Sequence, residues 1–217
     1  MDGKRFSLVR LHQALERNTG LLIFGILVVS SIGGLVQVLP TVADDSLRTP
    51  VADLEPYPPL ELIGRDVYIR ESCSTCHSQQ VRPLLAEVKR YGPYAGSGEF
   101  AYDRPFLWGS KRTGPDLLRV GGKYTDVWHR VHLMNPRAVV ASSIMPAYPW
   151  LVERTADDGS IQARMRTLRA LGHPYTDEQI GMAPAALESK TELDALIAYL
   201  QGLGRHAAPA AAEHAGH

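Results

Sequence analysis

The chain has 217 residues, enough for one domain of ordinary size with appendages. Lys and Arg together number 23, as do Asp and Glu, so the net charge of zero gives no overall reason to expect a nucleic-acid partner. There are only two cysteines, which excludes a four-thiolate zinc or iron–sulfur site built from this chain alone.

The first 59 residues divide into three segments by composition. Residues 1–20 predict a short amphipathic lead, with leucines at helical spacing between charges. Residues 21–39 carry no charge and would span ~28 Å as a helix, close to the hydrocarbon thickness of a bilayer, so they predict a single transmembrane anchor. Residues 40–59 contain five prolines and predict an extended, semi-rigid linker.

The charges beside the apolar segment predict its orientation. The preceding flank is basic and the following flank is acidic, which by the positive-inside rule puts the N-terminus in the cytoplasm and most of the chain outside it. A cleaved signal peptide is the alternative, because Thr41, Val42 and Ala43 form a passable cleavage site before Asp44. The apolar segment is longer than the hydrophobic region of a signal peptide, which favours an uncleaved anchor.

A C-x-x-C-H motif is the strongest chemical signal in the chain. Cys73, Cys76 and His77 have the spacing of a c-type haem attachment site, in which both thiols bond to the porphyrin and the histidine ligates iron. A bare disulfide and an incomplete zinc site are the alternatives, and no βαβ pattern supports a thioredoxin-like motif. Covalent haem agrees with the predicted export, because its attachment is expected on the periplasmic side of a bacterial inner membrane. The motif predicts electron transfer.

A helical pattern begins at Leu60 and runs into Cys73. Residues 78–113 then form a long, irregular insert in which basic and aromatic residues alternate. The aromatic residues argue against disorder. We expect this insert to be a docking surface, or to cover a haem edge and neutralise its propionates. Single-stranded nucleic acid also binds such surfaces, but the exported location disfavours it.

Helical segments follow the insert. Thr125 is predicted to cap a helix that presents Val127, Trp128, Val131 and Met134 and ends at Asn135 before proline. Further helices are predicted at residues 164–171 and 177–187, and a capping box at Thr191 and Asp194 opens a last helix that Gly204 ends. The domain would therefore span residues 60–204, and residues 205–217 predict a disordered tail.

Met145 is the predicted sixth ligand of the haem iron. It lies in a loop that proline follows, with Tyr148 and Trp150 nearby to exclude water. Core packing or the local sequence explains the other internal methionines better. His129 and His132 remain alternatives as a second imidazole, although a surface or propionate-facing position suits them better. With both axial positions filled there is no open site for oxygen, so no catalytic residue is predicted in the isolated chain.

Residues 60–204 resemble class I cytochromes c. The resemblance rests on the C-x-x-C-H motif, the run Thr113-Gly114-Pro115-Asp116-Leu117, the Met-Pro loop and the last helix. It implies an all-α haem domain, a hydrogen bond from His77 to the Pro115 carbonyl, and a contact of Trp128 with the haem. It also implies that the first and last helices cross, with Gly64 and Tyr68 near Tyr199.

Longer runs at 76–82, 102–117 and 145–151, together with the anchor, resemble the mono-haem subunit (subunit II) of cbb3-type cytochrome c oxidases. This resemblance implies one covalent haem c that takes electrons from a di-haem c subunit or a soluble cytochrome c. The electrons would pass to haem b in a haem-copper catalytic subunit, which reduces oxygen and pumps protons. A calcium ion at the interface with that subunit is a further implication, with no ligands assigned. A free-standing anchored cytochrome c carrier is the alternative.

Overall fold

The computed structural model describes residues 3–45 and 49–207. Contacts divide the chain into two units, Met1–Leu47 and Arg48–His217. The first contains helices α1 (Gly3–Arg17) and α2 (Thr19–Ala43). The helices of the second unit are α3 (Pro59–Arg70), α4 (Leu85–Tyr91), α5 (Asp126–Met134), α6 (Pro136–Val139), α7 (Ile161–Ala170), α8 (Asp177–Leu187) and α9 (Glu192–Gly202). Most of the predicted tail, residues 208–217, lies outside the described part of the chain.

The described residues confirm the prediction of an all-α chain. Helix α2 is the predicted apolar helix near the N-terminus. Its length and composition would allow it to cross a membrane, and none of its side chains is buried. Asn18 begins the helix by accepting a hydrogen bond from the Leu21 amide (3.1 Å). The helix extends beyond residues 21–39 and includes Pro40, where the sequence predicts the linker to begin. Proline has a helix-compatible φ, and here it lies within the last turn of the helix.

The crossing of α3 and α9 organises the second unit, as the class I resemblance implies. Gly64 makes this contact possible, because a Cβ atom there would lie 1.9 Å from the Ala195 carbonyl oxygen. Beside the crossing, the rings of Tyr68 and Tyr199 pack with their centroids 5.5 Å apart. The absence of a side chain at Gly64 therefore sets how closely the two helices approach.

Helices α7 and α8 complete the main core, and α8 packs against α3. The side chains of Ile161, Met165 and Leu187 are fully buried there, which explains Met165 as a core residue. The sequence predicts both helices correctly, and α8 begins at a capping box formed by Thr176 and Gln179. The main core of buried residues also includes Leu62, Ile63, Val67, Leu151, Ile180, Leu193, Leu196, Ile197 and Leu200.

The insert is more regular than its sequence predicts. It contains α4 and a 3₁₀ turn at Ser97–Phe100. Phe100 belongs to a second, smaller core with Val81 and Leu118, and Trp108 packs edge-on against it at 5.3 Å. The prediction of an irregular segment is therefore wrong for α4, which begins without a side-chain cap and so has no local start signal.

Carboxylates of the insert pair with arginines elsewhere in the domain. Glu99 and Arg119 form an almost fully buried ion pair at 2.5 Å. Asp103 forms another with Arg65 on α3 at 3.4 Å, and Arg65 also donates to the Arg104 carbonyl. These pairs fasten the insert to the rest of the domain.

Helix α5 begins at Thr125 and ends at Asn135, as predicted. The prediction that it packs through Val127 and Val131 is wrong, because Val127 is 71% exposed and Val131 42%. The buried face instead carries His129 and Leu133. Histidine counts as polar in a hydropathy pattern, so the pattern predicts that the valine face of α5 is buried and misses the face that carries His129.

Candidate haem-binding site

The C-x-x-C-H motif directly follows the end of α3. Ser72 has a left-handed φ of 59°, which turns the chain out of the helix. Residues Cys73–Thr75 form one 3₁₀ turn, closed by hydrogen bonds from the Cys76 amide (3.1 Å) and the His77 amide (2.9 Å) to the Cys73 carbonyl. Both cysteines are free thiols, Cys73 half-buried and Cys76 exposed. One turn of chain thus presents two thiols and an imidazole together.

The His77 ring is held by the Gly114-Pro115 segment. Its Nδ1 lies 2.9 Å from the Pro115 carbonyl oxygen, so Nδ1–H donates this bond and Nε2 is left to bind a metal. A Cβ atom on Gly114 would lie 2.2 Å from His77 Cε1, so only glycine leaves room for the ring. Burial lowers the pKa of His77, against the Pro115 carbonyl and Asp116, which favours the neutral imidazole that metals bind. The contacts of His77 with Gly114 and Pro115 therefore suit it as a ligand of haem iron.

A buried carboxylate joins the two segments that meet at this ring. Asp116 Oδ2 accepts hydrogen bonds from the Ser78 hydroxyl (2.6 Å) and the Gln80 amide (2.8 Å). Its Oδ1 accepts from the Leu118 amide at 2.9 Å. Asp116 belongs to the Gly-Pro run that resembles class I cytochromes c, and the sequence alone indicates no role for it. The structure connects it to the residue that follows His77.

Arg112 and Glu87 form the next layer outward. Arg112 Nε donates to the Ser78 hydroxyl oxygen (2.8 Å), and Nη2 donates to the Gln80 carbonyl (2.7 Å). Its Nη1 pairs with Glu87 Oε1 at 2.7 Å. Hydrogen bonds from Arg112, and then Arg82, lower the pKa of Glu87 to about 2. Sequence reasoning missed this group, because the partners lie far apart in the chain.

The main core holds the backbone of the motif from the other side. The Tyr68 hydroxyl donates to the His77 carbonyl at 3.0 Å. The Tyr199 hydroxyl donates to Gln79 Oε1, also at 3.0 Å, and Gln79 is almost fully buried. Helices α3 and α9 therefore each contribute one tyrosine to the segment that contains His77.

Met145, the predicted distal ligand, is half-buried against the main core, as are Cys73 and Tyr148. Its loop is fastened to α5 by a hydrogen bond from the Tyr148 amide to the Leu133 carbonyl (2.9 Å). Burial raises the pKa of Tyr148, and the Cys73 and Cys76 thiols raise it further. The methionine loop and the attachment motif thus lie at the same margin of the core.

Trp128 lies in a stack of rings along one side of α5. It stacks on Tyr124 with centroids 3.9 Å apart and on His132 at 4.6 Å. Burial lowers the pKa of His132, and His77 lowers it further, so this stack extends toward the motif. Buried His129 is on a different side of the helix and, within the described residues, its Nε2 has no hydrogen-bond partner.

No group of three or more His, Cys, Asp or Glu side chains that could hold a metal ion occurs within residues 3–45 and 49–207. The calcium ion implied by the resemblance therefore has no such ligand set within the described part of this chain.

An all-α domain with crossed terminal helices, a C-x-x-C-H motif and a histidine bonded to a Gly-Pro carbonyl has the features of class I cytochromes c. Residues 12–191 match the family described as cytochrome C oxidase, mono-heme subunit/FixO, and the chain belongs to this family. It is thus a haem-containing subunit of a cbb3-type cytochrome c oxidase, a complex with a catalytic partner subunit. The apolar α2 fits a membrane-anchored protein. A search of curated proteins found no match to the chain.

Proposed function

We propose that this chain relays single electrons within the oxidase. It takes them from a di-haem c subunit or a soluble cytochrome c and passes them to haem b of the haem-copper catalytic subunit. The observation that carries the proposal is His77, whose Nδ1 is 2.9 Å from the Pro115 carbonyl within a C-x-x-C-H motif, leaving Nε2 for iron. Oxygen reduction belongs to the catalytic subunit, because both axial positions here are assigned to protein side chains.

Cys73 and Cys76 would hold the haem covalently. Addition of each thiol to a vinyl group would form a thioether, so that no group leaves and no oxidant is consumed. The single turn that presents both cysteines next to His77 supports this role.

His77 and Met145 would hold the haem iron as its two protein ligands. The bound haem would supply a one-electron redox centre, and a thioether together with an imidazole raises its potential relative to two imidazoles. Tyr148 and the partly exposed Trp150 pack with centroids 5.5 Å apart and shield the methionine loop from water. Trp128, on α5, would line the haem site.

The anchor is assigned an orientation from the charges beside it. The N-terminus lies in the cytoplasm and the haem domain in the periplasm, because the lead is basic and the linker acidic. With this orientation the haem domain would lie on the side of the membrane where haem attachment and electron donors are expected. A calcium ion at the interface with the catalytic subunit remains part of the proposal, by family resemblance only.

Purification through a tag on this chain in mild detergent tests the proposal. We expect b-type and c-type absorption together with oxygen consumption, and rapid oxidation of this haem when oxygen is added. A c-type signal without oxygen consumption or a large partner would indicate a free anchored carrier instead. Cys73→Ser and Cys76→Ser should abolish covalent haem on stained gels, whereas Ser74→Ala in the same turn should retain it.

Replacement of Met145 tests the distal ligand. Met145→His should lower the midpoint potential of this haem, because imidazole stabilises ferric iron better than a thioether does. Met182→His provides the control, since Met182 is 64% exposed on α8. An unchanged potential in Met145→His would remove Met145 from the site.

A further inference from the structure

The Pro115 carbonyl orients His77. The residues on either side of Pro115 hold the direction of this carbonyl. The Gly114 amide donates to the Cys76 carbonyl at 3.0 Å, and the side chain of Asp116 is buried.

Asp116 closes a ring of contacts around the imidazole. His77 bonds to Pro115, Pro115 is followed by Asp116, Asp116 bonds to Ser78, and Ser78 follows His77. A backbone bond from the Leu117 amide to the Ser78 carbonyl (2.9 Å) runs beside it. A shift of Asp116 would therefore move the carbonyl relative to Nδ1.

Arg112 sets the direction of the Ser78 hydroxyl. Because Arg112 Nε donates to this oxygen, the hydroxyl proton is free to point at Asp116. Glu87 in turn holds the guanidinium through both carboxylate oxygens, at 2.7 and 2.8 Å. Glu87 on α4 is thus linked to the segment that bonds His77 through the side chains of Arg112, Ser78 and Asp116.

We propose that Asp116 and Arg112, held by Glu87, are positioning residues for the proximal histidine. They fix the Nδ1–H···O=C bond, and through it the plane of the imidazole and its donation to iron. The proposal rests on the proposed haem site. It gives the insert a function inside the domain, namely the outer support of the iron ligand.

The test compares carboxylate-to-amide variants of the full-length, haem-loaded chain in detergent. In Asp116→Asn, an NH2 group replaces one of the two oxygens that accept hydrogen bonds from Ser78, Gln80 and Leu118, so at least one of these bonds is lost. We expect a higher midpoint potential, because a buried negative charge is lost and donation from Nδ1–H weakens. The g values of the ferric haem in electron paramagnetic resonance, which depend on axial ligand orientation, should also shift. Glu87→Gln should change both quantities in the same direction, by less.

Glu99→Gln is the matched control. Glu99 is also a buried carboxylate of the insert paired with an arginine, Arg119, but its other partner is the Gly96 amide and not the motif. We expect this variant to lose stability while keeping the potential and g values of the wild type. If it shifted both as much as Asp116→Asn, the effect would be general and the proposal wrong.

Wild-type potentials and g values in Asp116→Asn and Glu87→Gln would also overturn the proposal. If Asp116→Asn fails to retain haem, Glu87→Gln is the test, and unchanged g values in that variant would overturn the proposal. Absence of c-type haem from the wild-type chain is a different result, because it would refute the haem site itself.

Discussion

Two regions hold His77 and the residues beside it, by different interactions. On one side α3 and α9 pack an apolar core, and Tyr68 reaches from it to the His77 carbonyl. On the other side, Asp116 and Arg112 form a buried network of charges and hydrogen bonds. Apolar burial supplies most of the stability of a domain, whereas a buried charge pair gives little net stability but tolerates few alternative geometries. The core keeps the domain folded, and the network directs the ring.

The largest expected effect comes from the core. In Gly64→Ala, a Cβ atom would lie 1.9 Å from the Ala195 carbonyl, so α3 and α9 must separate. We expect a loss of about 3 kcal/mol or more in the free energy of unfolding, measured with urea on the haem-loaded chain. Gly181→Ala in α8 is the control, because nothing lies within 4 Å of that site, and it should be neutral or stabilising by up to about 1 kcal/mol. Equal effects would mean that close helix approach does not define the core.

Breaking a buried ion pair of the insert should have the next largest effect. Glu99→Gln leaves the buried Arg119 guanidinium without its counter-charge, and we expect a loss of about 3 kcal/mol in urea unfolding. Asp177→Asn removes a fully exposed partner of Arg169, where solvent screens the ion pair, so its loss of stability should be much smaller than that of Glu99→Gln. A small effect in both would show that the insert does not depend on its charges.

The acid limb of stability should distinguish the two regions. The pKa of Glu87 is lowered from 4.5 to about 2 in the folded chain, so the unfolded chain binds a proton first as the pH falls. Its stabilisation is therefore complete above pH 4.5 and is lost as the pH falls toward 2. The difference in unfolding free energy between wild type and Glu87→Gln should shrink over this range. Leu196→Ala in the core should show a pH-independent difference, and the opposite pattern would contradict the assignment.

The smallest expected effect concerns the contact of the core with the motif. Tyr68→Phe removes only the hydroxyl that donates to the His77 carbonyl. We expect a loss of about 1 kcal/mol in unfolding free energy. Tyr199→Phe, which removes the bond to Gln79, is the companion measurement and should give a similar loss. If Tyr68→Phe lost much more unfolding free energy than Tyr199→Phe, the contact of the core with His77 would matter more than this comparison implies.

Local signals in the sequence predict the helices of the main core well. Thr176 and Thr191 begin α8 and α9 through capping boxes, and the apolar period of each helix faces the core. Helix α4 was not predicted because it lacks a side-chain cap and exposes Leu84 and Leu85. Helix α7 also lacks a side-chain cap, but it is longer and buries Ile161 and Met165, so local chemistry fails for a short helix that has neither a cap nor an apolar face in the core.

The residues of the candidate site also divide into those that the sequence predicts and those that it does not. Consecutive residues identify the attachment motif, and a family resemblance indicates Pro115. The roles of Glu87, Arg112 and Ser78 could not be predicted, since polar contacts across the fold follow no period along the chain. Arg112 instead belonged to a basic run that suggested an external surface. Only the fold shows that it is turned inward.

The contact of Gly64 with Ala195 also has a consequence for the order in which the domain is made. A chain is synthesised from its N-terminus, so α3 and the two thiols emerge long before α9. Until α9 arrives, α3 lacks its main packing partner, and contacts between segments so distant in sequence form slowly. During this interval the cysteines belong to an unfinished domain, and they must remain reduced and accessible until the last helix closes it.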